Sequence, residues 1–140
     1  MKKLLATMLL AGIMSVSACG ATIYSADGSK SKLQSNGYTV EVYGYEEAKV
    51  RIKNLNYDTV AFTNAVFAEK GEGDNKDIFL AFYFPSVDAA SAFLEANQNY
   101  NYVQMYDYAE NNLGSKLTAK RGTHNNVAYT GSETSFASAF

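Results

Sequence analysis

The apolar run Ile78-Phe79-Leu80-Ala81-Phe82-Tyr83-Phe84, followed by Pro85-Ser86, is the most informative part of the sequence for the fold. An unbroken apolar run bounded by turn residues is typical of a strand that is buried on both faces of a sheet. Pro85 ends the strand, and Ser86 is a favourable N-cap for a helix with Asp88 in its first turn. Helical spacing puts five residues on one face of that helix: Val87, Ala90, Phe93, Leu94 and Asn97.

Further strands are predicted on both sides of this run. Val60 to Glu69 is rich in valine and phenylalanine, and the polar loop over residues 70–77 is short enough to join it to the run as a hairpin. Tyr38 to Tyr43 alternates and contains β-branched residues, which favours another strand. Residues 116–120 alternate weakly, residues 122–126 are expected to form a turn, and Asn126 to Thr130 is expected to be the last strand.

Four other segments favour helices. Ser29 to Asn36 is a short helix with Leu33 facing inward, stopped by Gly37. Tyr45 to Leu55 has acidic residues early and basic residues late, which favours a helix, although its apolar residues also alternate as in a strand. The other two are Tyr102 to Leu113 and a C-terminal helix that begins near Ser132 and packs Phe136 and Phe140 inward.

Two strand-helix units recur, one after Val40 and one after Phe79, and they predict a shared sheet. We therefore expect the α+β class: a single small sandwich of a mainly antiparallel sheet with helices packed on it. A ferredoxin-like arrangement is the specific form that such units favour. A length of 140 residues suits one compact domain, which we place at residues 32–140.

The N-terminus has the organisation of a secretory signal. Lys2 and Lys3 precede an apolar run from Leu4 to Met14, and small residues follow it. The apolar run is shorter than the roughly 20 residues that a membrane-spanning helix needs. Residues 1–18 are therefore expected to be a signal peptide.

Val16-Ser17-Ala18-Cys19 resembles the lipobox of bacterial lipoproteins, in which a branched apolar residue and two small residues precede a cysteine. The resemblance implies that the Cys19 thiol receives a diacylglyceryl group through a thioether and that the signal is cut just before it. It implies a lipid anchor at the extracytoplasmic face of the cell membrane, because two acyl chains hold a protein stably. The alternative is an ordinary secretory signal cut after Ala18. Residues 19–31 are expected to be the lipidated cysteine and a flexible tether.

The rest of the chain also resembles small uncharacterised lipoproteins of Gram-positive bacteria. The shared features are a Gly-Tyr strand at residues 37–38, an alanine-rich helix after a hydrophobic strand, and the closing Asn126-Val127-Ala128-Tyr129 segment before Gly131. This resemblance implies no activity.

The charge balance limits the classes of partner. The whole chain has a net charge of −2, and without residues 1–18 it keeps ten basic and 14 acidic residues, a net charge of −4. An acidic protein is a poor nucleic-acid binder and is not drawn to anionic lipid. We expect no nucleic-acid partner, and membrane attachment through the lipid on Cys19 alone.

Candidate catalytic and metal-binding groups are few. His124 is the only histidine and lies between glycine, threonine and asparagines, so we expect an exposed turn residue and no catalytic site. Glu46 and Glu47 are explained by helix-start electrostatics. The acidic loop fails the spacing of a calcium-binding loop, so we expect neither metal nor cofactor there; its oxygen ligands are Glu72, Asp74, Asn75 and Asp77.

Aromatic residues are the one surplus in the composition, with 11 tyrosines and eight phenylalanines. Four tyrosines crowd one asparagine-rich segment: Tyr100, Tyr102, Tyr106 and Tyr108. Exposed tyrosine rings flanked by amides suit a protein, peptide or carbohydrate ligand, whereas the alternative is core packing.

The sequence as a whole predicts a membrane-anchored extracytoplasmic lipoprotein that acts as a non-enzymatic binding or accessory module. The alternatives are an envelope-associated enzyme with an unrecognised site and a purely structural cell-surface module.

Overall fold

The computed structural model describes residues 22–52, 55–72, 76–98 and 120–140. Within them, five antiparallel strands form one sheet and four helices pack on it, which confirms the α+β class. In chain order the elements are α1 (Ala26–Ser35), β1 (Thr39–Gly44), α2 (Tyr45–Arg51), β2 (Asn64–Lys70), β3 (Asp77–Tyr83), α3 (Val87–Ala96), β4 (Lys120–His124), β5 (Val127–Gly131) and α4 (Glu133–Ala139).

The apolar run at Ile78 to Phe84 forms β3, the middle strand of the order β1-β2-β3-β5-β4. Its side chains alternate between two buried clusters, with Leu80 and Phe82 on one face of the sheet and Phe79 and Ala81 on the other. The prediction of a central strand buried on both faces is confirmed. The predicted hairpin is confirmed as well, because β2 and β3 pair antiparallel from Asn64 and Tyr83 to Lys70 and Asp77.

Helices cover both faces of the sheet. Ala48 of α2 and Phe93 of α3 pack into the first cluster, together with Phe62 from the loop before β2. Leu33 of α1 and Ala139 of α4 pack into the second cluster. The α+β sandwich is therefore established, while the narrower ferredoxin-like arrangement stays a prediction.

The expectation of a flexible tether over residues 19–31 is wrong for its described part, residues 22–31. Helix α1 begins at Ala26, three residues before the predicted start, and Ser25 caps it by accepting a hydrogen bond from the Gly28 amide at 3.1 Å. Ala26 and Ser29 are buried on the inner face of this helix. Small residues are also typical of linkers, but here they let the helix approach the sheet closely. The fold thus includes residues before position 32.

The predicted turn over residues 122–126 is also wrong in extent. Residues 120–124 form β4, and Gly122 lies opposite Tyr129 in the antiparallel ladder. The turn is confined to Asn125 and Asn126, and Asn125 has a φ of 54°. A glycine-containing segment forms a strand here because pairing with β5 supplies its backbone hydrogen bonds.

The helix predicted from Tyr45 to Leu55 forms over its first seven residues, as α2, and Ile52 is already extended. The open choice between helix and strand is therefore resolved in favour of a helix there. The helix predicted from Tyr102 to Leu113 lies outside the described residues.

Candidate functional site

The predicted site residues fall outside the described part of the chain. They are the lipidation residue Cys19 and the four tyrosines Tyr100, Tyr102, Tyr106 and Tyr108. The tyrosine-rich segment runs between two described residues, Gln98 at the end of α3 and Lys120 at the start of β4. We call Gln98 and Lys120 the attachment points of that segment. The surface beside them is the part of the described fold that the segment adjoins in sequence.

A cleft of about 420 Å³ lies between α3 and β4, next to both attachment points. Its walls are polar except for one leucine. The lining residues are Ser91, Leu94, Glu95, Gln98, Arg121 and Thr123.

Regular backbone geometry places these side chains on the cleft. Ala90 and Phe93 lie on the buried face of α3, and the residues at helical spacing from Ser91 to Gln98 form a neighbouring stripe along the helix. In β4, Arg121 and Thr123 are two residues apart and point to the same face of the strand. The cleft is thus built on two regular elements, which hold its lining residues in fixed relative positions.

Arg121 is the main positive group of the cleft. Its guanidinium donates hydrogen bonds to the carbonyls of Asn97 at 3.3 Å and Gln98 at 2.7 Å. A cation at these carbonyls is favourable because they lie at the negative end of the helix dipole. With Glu95 on the same wall, the cleft presents charges of both signs as well as hydroxyl and amide groups. Such a surface suits ligands that are rich in hydrogen-bonding groups.

A buried asparagine fixes the end of α3. Asn97 is 3% exposed; its Oδ1 accepts from the Asn56 amide at 2.6 Å, and its Nδ2 donates to the Asn56 carbonyl at 3.0 Å. The same Nδ2 donates to the Phe93 carbonyl at 2.9 Å. Helical spacing predicts that Asn97 shares one face of α3 with apolar residues, and an amide among apolar residues is the one sequence signal of this role.

His124 is not an exposed turn residue, so that expectation is wrong. It ends β4, and its ring stacks on Tyr24 with centroids 4.9 Å apart and packs against Phe136 and Phe140. The Tyr24 hydroxyl lies 3.1 Å from Nε2. Desolvation by burial lowers the pKa of His124 from its ordinary value. The His124 ring therefore serves in aromatic packing on the face of the sheet that carries the second cluster.

The described residues of the acidic loop lie in different places. Glu72 is exposed, Asp74 and Asn75 lie outside the described residues, and Asp77 begins β3. Asp77 accepts a hydrogen bond of 2.5 Å from the Tyr38 hydroxyl, and burial together with this carboxylate raises the pKa of Tyr38. Over the ranges that the structure describes, no group of three metal-ligating side chains occurs.

The two glutamates at the start of α2 lie where helix electrostatics predicts them. Glu46 and Glu47 occupy its first turn. Glu47 pairs with Arg51 one turn later at 3.2 Å, with both side chains about half exposed. Exposed ion pairs of this kind contribute little to the free energy of unfolding, so the effect of this pair is limited to α2 itself.

None of the helices in the described ranges has the length and hydrophobicity that a membrane crossing requires. No protein-family model, curated protein or solved structure matches this chain at a significant level.

Proposed function

We propose that this protein is a membrane-anchored extracytoplasmic lipoprotein that acts as a non-enzymatic binding or accessory module. One observation carries the anchor. The main chain of Thr22, only three residues after Cys19, already contacts the fold, since its carbonyl accepts a hydrogen bond of 2.9 Å from Asn125 Nδ2. The lipobox cysteine therefore lies directly before the folded domain.

This position supports lipidation at Cys19. A processing enzyme must reach the Cys19 thiol and the preceding peptide bond, which requires a segment that the fold does not need. The described core of both sheet faces is built by residues from Tyr24 onward. Cleavage before Cys19 would leave that core complete.

The cleft between α3 and β4 supports a binding role. It combines Arg121, Glu95 and neutral polar groups on two regular elements, and the tyrosine-rich segment is attached at its borders. Peptides and carbohydrates present the hydrogen-bonding groups that such walls recognise. A protein partner that presents a polar peptide segment fits the same description.

The surroundings of His124 favour binding over catalysis. A general base must reach the proton that it removes, with a second group orienting it. His124 instead packs against three aromatic rings, and Nε2 faces the Tyr24 hydroxyl. These contacts give His124 a packing role on the face of the sheet that carries the second cluster.

Membrane fractionation of a bacterial host that expresses the full chain tests the anchor. The wild-type protein is expected in the membrane fraction, and Cys19→Ala in the soluble extracytoplasmic fraction or retained with an uncut signal. Ser17→Ala keeps a small residue in the lipobox and is the matched control, which should behave like wild type. A Cys19→Ala protein that stays in the membrane fraction after its signal has been cut would contradict the proposal.

A thermal-shift screen of the purified lipidated protein in detergent tests the binding role, with wall-derived sugars and short peptides as probes. A ligand at 100 times its Kd adds about 2.7 kcal/mol of stability, which gives a readable shift. Ser91→Trp fills the cleft and should abolish the shift, whereas Gln34→Trp, at an exposed position of α1, should retain it. A ligand that shifts both variants equally would contradict the cleft as its site.

A further inference from the structure

One end of the sheet gathers segments that are distant in the chain. The Asn126 carbonyl accepts from the Phe84 amide at 2.9 Å, and the Thr63 amide donates to the Tyr83 carbonyl at 2.7 Å. Asn125 bonds to Thr22 at the same place. We call the surface formed by Thr22, Asn125, Pro85 and residues 60–63 the Thr22 end.

Chain length limits how far Cys19 can lie from this end. Three peptide units separate Cys19 from Thr22, and each trans peptide spans 3.8 Å between Cα atoms, so the two Cα atoms can be at most about 11 Å apart. Acyl chains attached to Cys19 would therefore insert next to the Thr22 end. The far end of the sheet, at Thr39 and Lys70, lies about 20 Å away along β2.

The Thr22 end also presents apolar side chains to solvent. Val60 is 54% exposed, and Ala61 and Pro85 are exposed as well. Val60 is one of two large hydrophobic residues that are exposed in the described part of the chain; the other is Val50. Small apolar groups beside a lipid anchor gain free energy when they leave water for the bilayer interface.

Charge distinguishes between kinds of lipid surface. Asp58 is exposed in the loop before Val60, and Glu46 and Glu47 lie two and three residues after Gly44, which ends β1 at this end of the sheet. Carboxylates are repelled by anionic headgroups and not by zwitterionic ones. The surface therefore fits a neutral lipid interface.

We propose that the Thr22 end is the membrane-facing surface of the protein, with Val60, Ala61 and Pro85 at the headgroup region of neutral lipids. This rests on the proposed lipid attachment at Cys19. The short connection restricts rotation of the domain, so Thr39 and Lys70 stand away from the bilayer. Helix α3 begins beside Pro85 and runs away from this end, so the Gln98 side of the cleft opens away from the membrane.

Fluorescence quenching by lipid headgroups tests the orientation. The lipidated full chain is reconstituted in phosphatidylcholine vesicles that contain a lipid with a nitroxide headgroup. A thiol-reactive fluorophore is placed at Ala61→Cys on the Thr22 end or at Thr39→Cys on the far end; both positions are exposed. Quenching at position 61 is expected to exceed quenching at position 39 by at least threefold.

A longer connection supplies the matched control. Twelve glycine and serine residues inserted between Gly20 and Ala21 give a flexible segment with a root-mean-square length of about 19 Å. We expect the difference between positions 61 and 39 to shrink strongly in this variant. Equal quenching at both positions with the native connection, or stronger quenching at position 39, would overturn the proposed orientation.

The parent chain separates failure of the orientation from failure of the anchor. Cys19 is the only cysteine, so a thioether at Cys19 leaves the parent without a reactive thiol. A parent that takes up fluorophore and does not float with vesicles would overturn the lipid anchor, and the orientation with it. A parent that floats unlabelled, with equal quenching at both positions, would overturn the orientation alone.

Discussion

The Asn126 side chain hydrogen-bonds to both backbone polar groups of Tyr24. Its Oδ1 accepts from the Tyr24 amide at 2.7 Å, and its Nδ2 donates to the Tyr24 carbonyl at 2.9 Å and to the Phe84 carbonyl at 2.8 Å. Asn126 is 1% exposed. The Asn126 side-chain amide thus pairs with the backbone of Tyr24 as a neighbouring strand would. It thereby ties the start of the described fold to Phe84, directly after β3.

Asn126→Ala is expected to lower the free energy of unfolding by about 3 kcal/mol, because it removes three hydrogen bonds and leaves buried backbone groups without partners. Urea denaturation followed by circular dichroism measures the change. Asn36→Ala is the matched control, since Asn36 is exposed and its side chain donates to the Lys32 carbonyl at the end of α1. A loss at Asn126 no larger than the loss at Asn36 would show that the Tyr24 contact does not stabilise the fold.

Gly131→Ala is expected to destabilise the protein by about 2 kcal/mol through overpacking. An added Cβ would lie 2.6 Å from Ser135 Oγ and 3.1 Å from the Ile78 carbonyl oxygen, where α4 packs on β3. Gly44→Ala is the control, because its φ is −75° and its Cβ would meet nothing within 4 Å. Thermal unfolding of both variants tests this, and equal midpoints would contradict the close contact of α4 with the sheet.

The stability of the fold should decrease as the pH falls through the range in which His124 titrates. Burial lowers its pKa in the folded state below the ordinary value of about 6.5, so the unfolded chain binds the proton more tightly. The free energy of unfolding is therefore unaffected by protonation of this residue above a pH of about 6.5, and it decreases as the pH falls below that value. His124→Gln should show a smaller loss between pH 7.5 and 5.5 in urea denaturation. Identical losses in the two proteins would argue against a lowered pKa of the partly buried His124 ring.

Much of the fold could be predicted because one segment is so apolar. The run from Ile78 to Phe84 leaves only a central strand as a reasonable interpretation, and the Pro85-Ser86 boundary predicts the following helix. Structure and prediction agree there, with Ser86 Oγ accepting from the Ala89 amide at 3.1 Å. The alternation in β1 was equally informative.

The errors arose at residue types that are also common in linkers and turns, where packing or strand pairing decides the structure. Ala26 and Ser29 resemble linker residues until α1 is seen packed on the sheet. Gly122 and His124 resemble turn residues until they pair with β5. The cleft was not predicted at all, because α3 and β4 contribute to it from opposite sides of a 21-residue interval, residues 99–119.

Mass spectrometry of the mature N-terminus is the most direct test of lipidation at Cys19. Trypsin should release a peptide that ends at Lys30, the first basic residue after Cys19. We predict that this peptide begins at Cys19 and carries the mass of a diacylglyceryl group when the protein is purified from a lipoprotein-processing bacterium. A peptide that contains Cys19 with a free thiol, whatever residue it begins with, would contradict the lipid anchor and the membrane orientation that depends on it.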